Sequence, residues 1–361
     1  MYIILAILLL GLMVLLHEFG HFIVAKIMGV KVLEFSIFFW TPSYTRNGKK
    51  YFPLTKKIKG TLFKLGLIPL GGYVKFKGMV KSDKPIVTNR AEIVSPDCQD
   101  EDAFCNKKRW QRALILLGGV IMNLITGVVL LFCFFLFFGT PSGSNNVNVL
   151  KGAPAYSAGM RSGDRILKIN DAEIKDINDI YESLRVVKEG DSLEIVIERE
   201  GSEKHITLKP EMKNSQVFFG IMAGTDPLGP VGAIVESFKF TGFFIGSMVQ
   251  AINMIFRRQI DVNKDLAGPV GIVMMMGDSI GYGFLIILRL VALLSLMLFF
   301  FNLLPIPGLD GGHLLILGIE ALRRKDFSLL TKNTINYMGM LLLLAIFFFV
   351  TFKDCSRIFG G

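Results

Sequence analysis

Histidine and cysteine are the scarce reactive residues of this chain, with four of each among 361 positions. The cysteines (Cys98, Cys105, Cys133 and Cys355) contain no C-x-x-C pair and keep no regular spacing. Neither a disulfide scaffold nor a cysteine-built zinc site is indicated by that spacing. Charge is also thin, at 19% of residues, and acidic side chains are outnumbered, 30 against 40 Lys and Arg. The basic surplus is local: residues 30–110 hold 16 basic against 7 acidic side chains, while residues 139–282 hold 15 against 18. A surplus confined to one loop reads as membrane topology rather than as a polyanion-binding face, so no nucleic-acid partner is expected. What is plentiful is hydrocarbon. The hydrophobic set makes up 52% of the chain, with 31 Phe, and the mean hydropathy is +0.51. This is the composition of a polytopic membrane protein with room for one soluble module.

Four stretches come near the ~20 residues that a bilayer requires: 1–28, 111–138, 283–304 and 337–352. The first lacks a basic n-region and a small-residue cleavage site, so it reads as a retained helix. Lys107, Lys108, Arg109 and Arg112 at the start of the second span, and Arg323, Arg324 and Lys325 between the last two, mark the cytoplasmic side. Segments 29–110 and 305–336 then lie inside. Both termini and residues 145–282 lie outside. Within 213–282, an exterior linker, the apolar stretch 231–256 is interrupted by Glu236 and Lys239, which suits an amphipathic helix on the outer membrane face.

Ionisable groups at membrane depth are expensive and mark function. The first span carries "LLHEFGHFIVAK" at residues 15–26. His17 and His21 are four apart and share one helix face, so both can reach one zinc ion, with Glu18 beside them to take a proton from water. A hydrolytic zinc site needs a third protein ligand and an open position. His205 lies in a charged exterior stretch; Asp310 and His313 lie in "FNLLPIPGLDGGHLL" (301–315), where Pro305 and Pro307 end the third span. Sixteen residues precede His17, roughly 24 Å of helix, which puts the histidine pair at the cytoplasmic edge of the hydrocarbon, the depth at which the third span ends. Spacing leaves two options for the third ligand: Asp310 as carboxylate ligand, or His313, which could instead donate from behind the ligands.

HEFGH in an N-terminal span, "PLGGYVKF" (69–76), a G-x-x-x-N stretch in the second span and "NLLPIPGLDGG" (302–312) resemble, in matching order, the site-2 protease family of intramembrane zinc metalloproteases. Within it the chain is most similar to the branch of the bacterial regulator of sigma-E protease. The resemblance implies a single Zn2+ held by His17, His21 and Asp310, with Glu18 as catalytic base and His313 as a supporting group. It implies that Asn302 helps hold the substrate backbone and that Gly119 and Asn123 form a packing motif. It further implies a membrane re-entrant β-hairpin over 62–79, whose residues Gly71, Gly72, Tyr73, Val74, Lys75 and Phe76 line the substrate. The residues themselves agree with strand structure there: Gly71-Gly72 stand between short β-prone runs, and "YVKFK" alternates. Residues 80–106 read as a polar insertion.

Residues 145–212 change character, with more charge and strand-like runs around a helix-like "DINDIYESLRVV". "GMRSGDRILKIN" resembles a PDZ domain of the permuted bacterial form, which binds peptides by strand addition or gates a site sterically. The resulting expectation is a multi-pass inner-membrane enzyme: four transmembrane helices, a re-entrant β-hairpin and an exterior PDZ-like α+β domain. Segment 305–336 supplies the LDG-motif loop and a cytoplasmic helix. The implied substrates are single-span membrane proteins, such as anti-sigma factors and remnant signal peptides, already trimmed by an upstream site-1 protease. The rival readings are an intramembrane metal transporter, against which stands the lack of an inverted repeat, and an inactive PDZ scaffold, against which stands an intact Glu18.

Overall fold

The computed structural model describes residues 2–42, 44–46, 49–51, 54–79, 86–87, 93–94, 100–188, 190–213, 216–257, 259 and 284–359. It divides into two compact units, one centred on residues 1–129 and 290–361, the other on 130–240.

The first unit begins with helix α1 (Tyr2–Ile27). It has no proline and no charged residue before Glu18, so it is apolar on every side and suits lipid on one side and protein on the other. Gly29 ends it: at φ +68° its N–H bonds Lys26 O and that of Val30 bonds Ala25 O, the paired closure that a left-handed glycine permits. The chain then forms β1 (Val32–Phe39), β2 (Thr55–Ile58), β3 (Thr61–Leu65) and β4 (Ile68–Phe76). Their order in the sheet is β2-β3-β1-β4. β1 pairs in parallel with β3 and antiparallel with β4.

This corrects the expected hairpin over 62–79. β3 and β4 follow one another in sequence but do not pair; β1 lies between them. Gly71 and Gly72 are inside β4, not in a turn. The turn is at Gly66, where a Cβ would stand 2.1 Å from Phe39 O. β4 is one edge of the sheet and lies along α1: a Cβ on Gly11 would come within 2.3 Å of Pro69 O, and one on Gly71 within 2.9 Å of Val14 Cγ1. The glycines are there because a helix and a strand run in contact, which a side chain would prevent.

Helix α2 (Arg109–Phe138) follows. Its first half crosses α1 at two glycines, where a Cβ on Gly20 would lie 2.2 Å from Gly118 O and one on Gly118 2.7 Å from Gly20 O. Small residues that let backbones meet are the ordinary means of helix association in lipid. Cys105, just before α2, is disulfide-bonded, a staple that the irregular cysteine spacing did not signal. Most of insertion 80–106 lies outside the described residues.

In the second unit, β5 (Arg165–Ile169), β6 (Ala172–Glu173), β7 (Leu193–Arg199) and β8 (Ser202–Leu208) form a sheet of order β6-β5-β7-β8. Helix α3 (Ile177–Arg185) starts in a reciprocal cap, with Asp176 accepting from the Asp179 N–H and Asp179 reaching back to the Asp176 N–H. A core of alternating strand residues, Ile166, Ile195, Ile197 and Leu208 among them, is fully buried. Asp164 of the Gly-Asp-Arg turn is also buried and is held by Arg199 at 2.6 Å, which gives that motif a structural role.

Helix α4 (Pro230–Phe256) follows. Helices α5 (Phe284–Leu303), α6 (Asp310–Arg323) and α7 (Leu329–Phe359) complete the chain. Among the described residues, four helical stretches are long and apolar enough to cross a membrane: Ile4–Ile27, Arg109–Phe138, Phe284–Leu303 and Leu330–Asp354. α4 is not among them. Residues 260–283 of the expected exterior linker lie outside the described residues.

Candidate metal centre

His17 and His21 come from one face of α1, one turn apart. Both are buried, at 8% and 7% exposure. Asp310 comes from the first turn of α6, after a tight bend through Pro305 and Pro307. The two glycines that follow it make the bend possible, since a Cβ on Gly311 would meet Leu304 O at 2.2 Å and one on Gly312 would meet Ile306 O at 2.2 Å. An acidic residue in the first turn is also favoured by the unpaired N–H groups there.

The three side chains converge. His17 Nε2 stands 3.0 Å from Asp310 Oδ2, His21 Nε2 stands 3.3 Å from the same oxygen, and the two ring nitrogens are 3.2 Å apart. The residues fit zinc. Bonds of about 2.0–2.1 Å in a tetrahedron require ligand atoms roughly 3.3 Å apart, and the three edges observed are close to one face of such a tetrahedron. Asp310 Oδ2 is moreover a buried oxygen with no hydrogen-bond partner, the state of a carboxylate oxygen whose partner is a cation.

The groups behind the rings agree with this. His21 Nδ1 is 2.8 Å from Ile115 O, so Nδ1 carries the proton and donates it to the carbonyl, leaving Nε2 bare. His17 Nδ1 faces the Asn123 side-chain amide at 3.1 Å, and Asn123 Oδ1 is buried without a partner. With the amide turned over, Oδ1 accepts from His17 Nδ1–H and the second Nε2 is bare as well; the oxygen and nitrogen of an amide are interchangeable in this respect. Asn123 is in turn held from the other side, since Ser295 Oγ donates to its backbone oxygen at 2.8 Å. Gly119 lies flat under the rings: a Cβ there would come within 2.4 Å of His21 Nε2 and 2.8 Å of His17 Cε1.

Beside this triangle Glu18 reaches the sheet, where its Oε2 accepts from Val74 N–H at 3.1 Å. His313 is not in the cluster; one turn beyond Asp310, it lines a cavity of about 290 Å3 with Arg112, Glu320 and Lys332. Asn302 is half-buried at the end of α5. His205 lies on β8 in the second unit. The residues that sequence reasoning missed are Ile115, which acts through its backbone carbonyl and leaves no residue-type signal, and the pair Gly20 and Gly118.

A family model described as Peptidase family M50 matches residues 5–346. A protein of Rickettsia conorii is 30% identical over 368 residues, covering 97% of each chain. One of Mesorhizobium japonicum is 31% identical and covers 96% of each. One of Clostridium acetobutylicum is 30% identical, covering 98% of this chain and 96% of its own. All three bear zinc-metalloprotease names.

Proposed function

The chain belongs to peptidase family M50, is a zinc metalloprotease of the membrane, and on that premise we propose that it cleaves single-span membrane proteins with His17, His21 and Asp310 as its zinc ligands. The observation that carries this reading is the triangle of two Nε2 atoms and one carboxylate oxygen with edges of 3.0–3.3 Å. When bound, zinc supplies Lewis acidity to the scissile carbonyl and lowers the pKa of water.

The rest of the work falls to the chain. Glu18 takes the proton of the attacking water on its carboxylate and returns it to the leaving amine nitrogen. Ile115 O and Asn123 keep the imidazoles turned with Nε2 inward. Asn302 steadies the carbonyl oxygen as charge develops on it. The substrate crosses Glu18 as an extended strand added to β4 along Gly71, Gly72, Tyr73, Val74, Lys75 and Phe76. A peptide bond within a helix is shielded by its own hydrogen bonds, so strand addition both opens it and holds it. In this reading α1, α2, α5 and α7 cross the inner membrane, with both termini outside and the metal near the cytoplasmic side. The 145–212 domain works as a PDZ-like exterior gate that admits substrates already shortened by a first protease, and anti-sigma factors and remnant signal peptides are the substrate class.

The test is cleavage of a truncated single-span substrate by the purified chain and its Glu18→Gln variant. We expect the variant to bind zinc normally and to lose cleavage by about 10²–10⁴-fold, the usual contribution of a general base. A chelator should silence the wild type. Equal cleavage by the two proteins would remove Glu18 from its role, and zinc retained by Asp310→Ala but lost by His313→Ala would reassign the third ligand.

A further inference from the structure

Glu18 is the group that joins the metal cluster to the sheet, through the Val74 N–H at 3.1 Å. Donors along an antiparallel strand alternate between its two sides. Gly66 N–H bonds Ile37 O at 2.7 Å, so Ile37 and, two residues back, Phe35 turn their backbone groups toward β3, and the Phe35↔Val74 pair carries no ladder hydrogen bond while its neighbour Ser36↔Tyr73 does. Val74 N–H therefore points away from β1. It is a donor on the outer side of the edge strand β4, where an added strand would place its carbonyl, and the Glu18 carboxylate already occupies it.

We propose that Glu18 caps the docking edge in the substrate-free enzyme and that a substrate strand binds by exchange, its backbone carbonyl taking the Val74 N–H while the carboxylate is released toward the reacting water. This rests on β4 being the docking strand. An edge N–H at membrane depth is costly to leave bare, so an empty edge needs an acceptor; a carboxylate is a strong one. Its displacement sets a threshold: a substrate must offer enough extended backbone to replace a charge-assisted bond, and segments that stay helical cannot. The base is thus turned to water only when a strand is seated. Glu18 has two successive partners, and Val74 is a positioning residue that acts through its backbone.

The experiment is equilibrium binding of a neutral extended peptide, with an uncleavable hydroxyethylene in place of its central amide, to the zinc-loaded full chain in nanodiscs. Glu18→Ala removes the competing acceptor and should bind the peptide about tenfold tighter than wild type, the usual size of one hydrogen bond to a charged group. The gain should vanish when Val74→Pro removes the donor. Equal affinity of wild type and Glu18→Ala overturns the exchange while leaving strand docking intact. Binding indifferent to Val74→Pro in both backgrounds overturns strand docking itself. Proline is tolerated where an edge N–H faces away from the sheet. A second measurement needs no proline: hydrogen exchange at the Val74 amide should be slow in wild type, fast in Glu18→Ala and slow again with peptide bound. Fast exchange in the peptide-free wild type overturns the proposal.

Discussion

Along one face of α1, Gly11, Val14, Leu15 and Glu18 meet the edge strand β4; along the other, His17, Gly20, His21 and Val24 meet α2. Both faces use glycine to bring backbones together, but for different ends. Toward α2 the contact is rigid on both sides, helix against helix, and it fixes two imidazoles from behind. Toward β4 the contact leaves an edge donor, Val74 N–H, whose partner is a side chain, the Glu18 carboxylate. The histidine pair and Glu18 are therefore held by different neighbours of one helix, and on the proposed function substitutions should separate metal binding from substrate docking.

The largest effect should come from the α2 side. Gly119→Ala puts a methyl 2.4 Å from His21 Nε2 and 2.8 Å from His17 Cε1, so both rings must leave their places. Zinc affinity should fall by more than the ~10–100-fold typical of a lost outer partner, and cleavage should vanish. Metal analysis of the purified variant checks this, and peptide binding at β4 should survive.

On the β4 side, Gly71→Val meets Val14 Cγ1 at 2.9 Å at a position with φ +132°, where a β-branched residue is strained by about 1–3 kcal/mol. The strand should lift off α1, cutting cleavage by roughly tenfold or more on that energy scale, with zinc content unchanged. Loss of zinc in this variant would show that the two faces are not independent.

The smallest effect concerns the sheet beneath β4. Glu34 on β1 bonds Lys64 on β3 at 2.7 Å and Tyr73 on β4 at 3.0 Å. Burial alone would raise the Glu34 carboxyl, but the Lys64 ammonium and the Tyr73 hydroxyl hold it below its usual range. A depressed carboxylate stabilises the fold above its unfolded value and loses that contribution as the pH falls through its folded value. Glu34→Gln should therefore lower the melting temperature at pH 7, by an amount worth under about 1 kcal/mol for such a partly solvated pair. The difference from wild type should close at a pH below the ordinary carboxylate range.

The legible parts of the molecule were those written within a few residues. His17 and His21 are one helical turn apart, so their shared face follows from the backbone period alone, and the four apolar stretches need only length and composition. Asp310 and His313 could not be separated in the same way, because both sit at the start of one helix at one depth; the bend through Pro305 and Pro307 carries Asp310, not His313, to the histidines. Gly71-Gly72 invited the opposite error. A glycine pair between β-prone runs is a good turn signal when only neighbours in sequence are considered, yet here Gly71 answers to Val14 of α1, 57 positions away in sequence, and Gly72 to Ser36 O of β1.

By itself the sequence determined that the chain is a membrane protein, that one span carries a histidine pair with a glutamate, and that a strand-forming segment accompanies it, since each depends on local period, length or hydrocarbon content. Only the tertiary structure decided whether Asp310 or His313 completes the cluster, that β1 parts β3 from β4, and that Val74 holds Glu18. Those outcomes depend on which backbones can approach closely, and that is set by glycines, some with partners nearby, as Gly311 with Leu304, and others with partners far along the chain, as Gly71 with Val14.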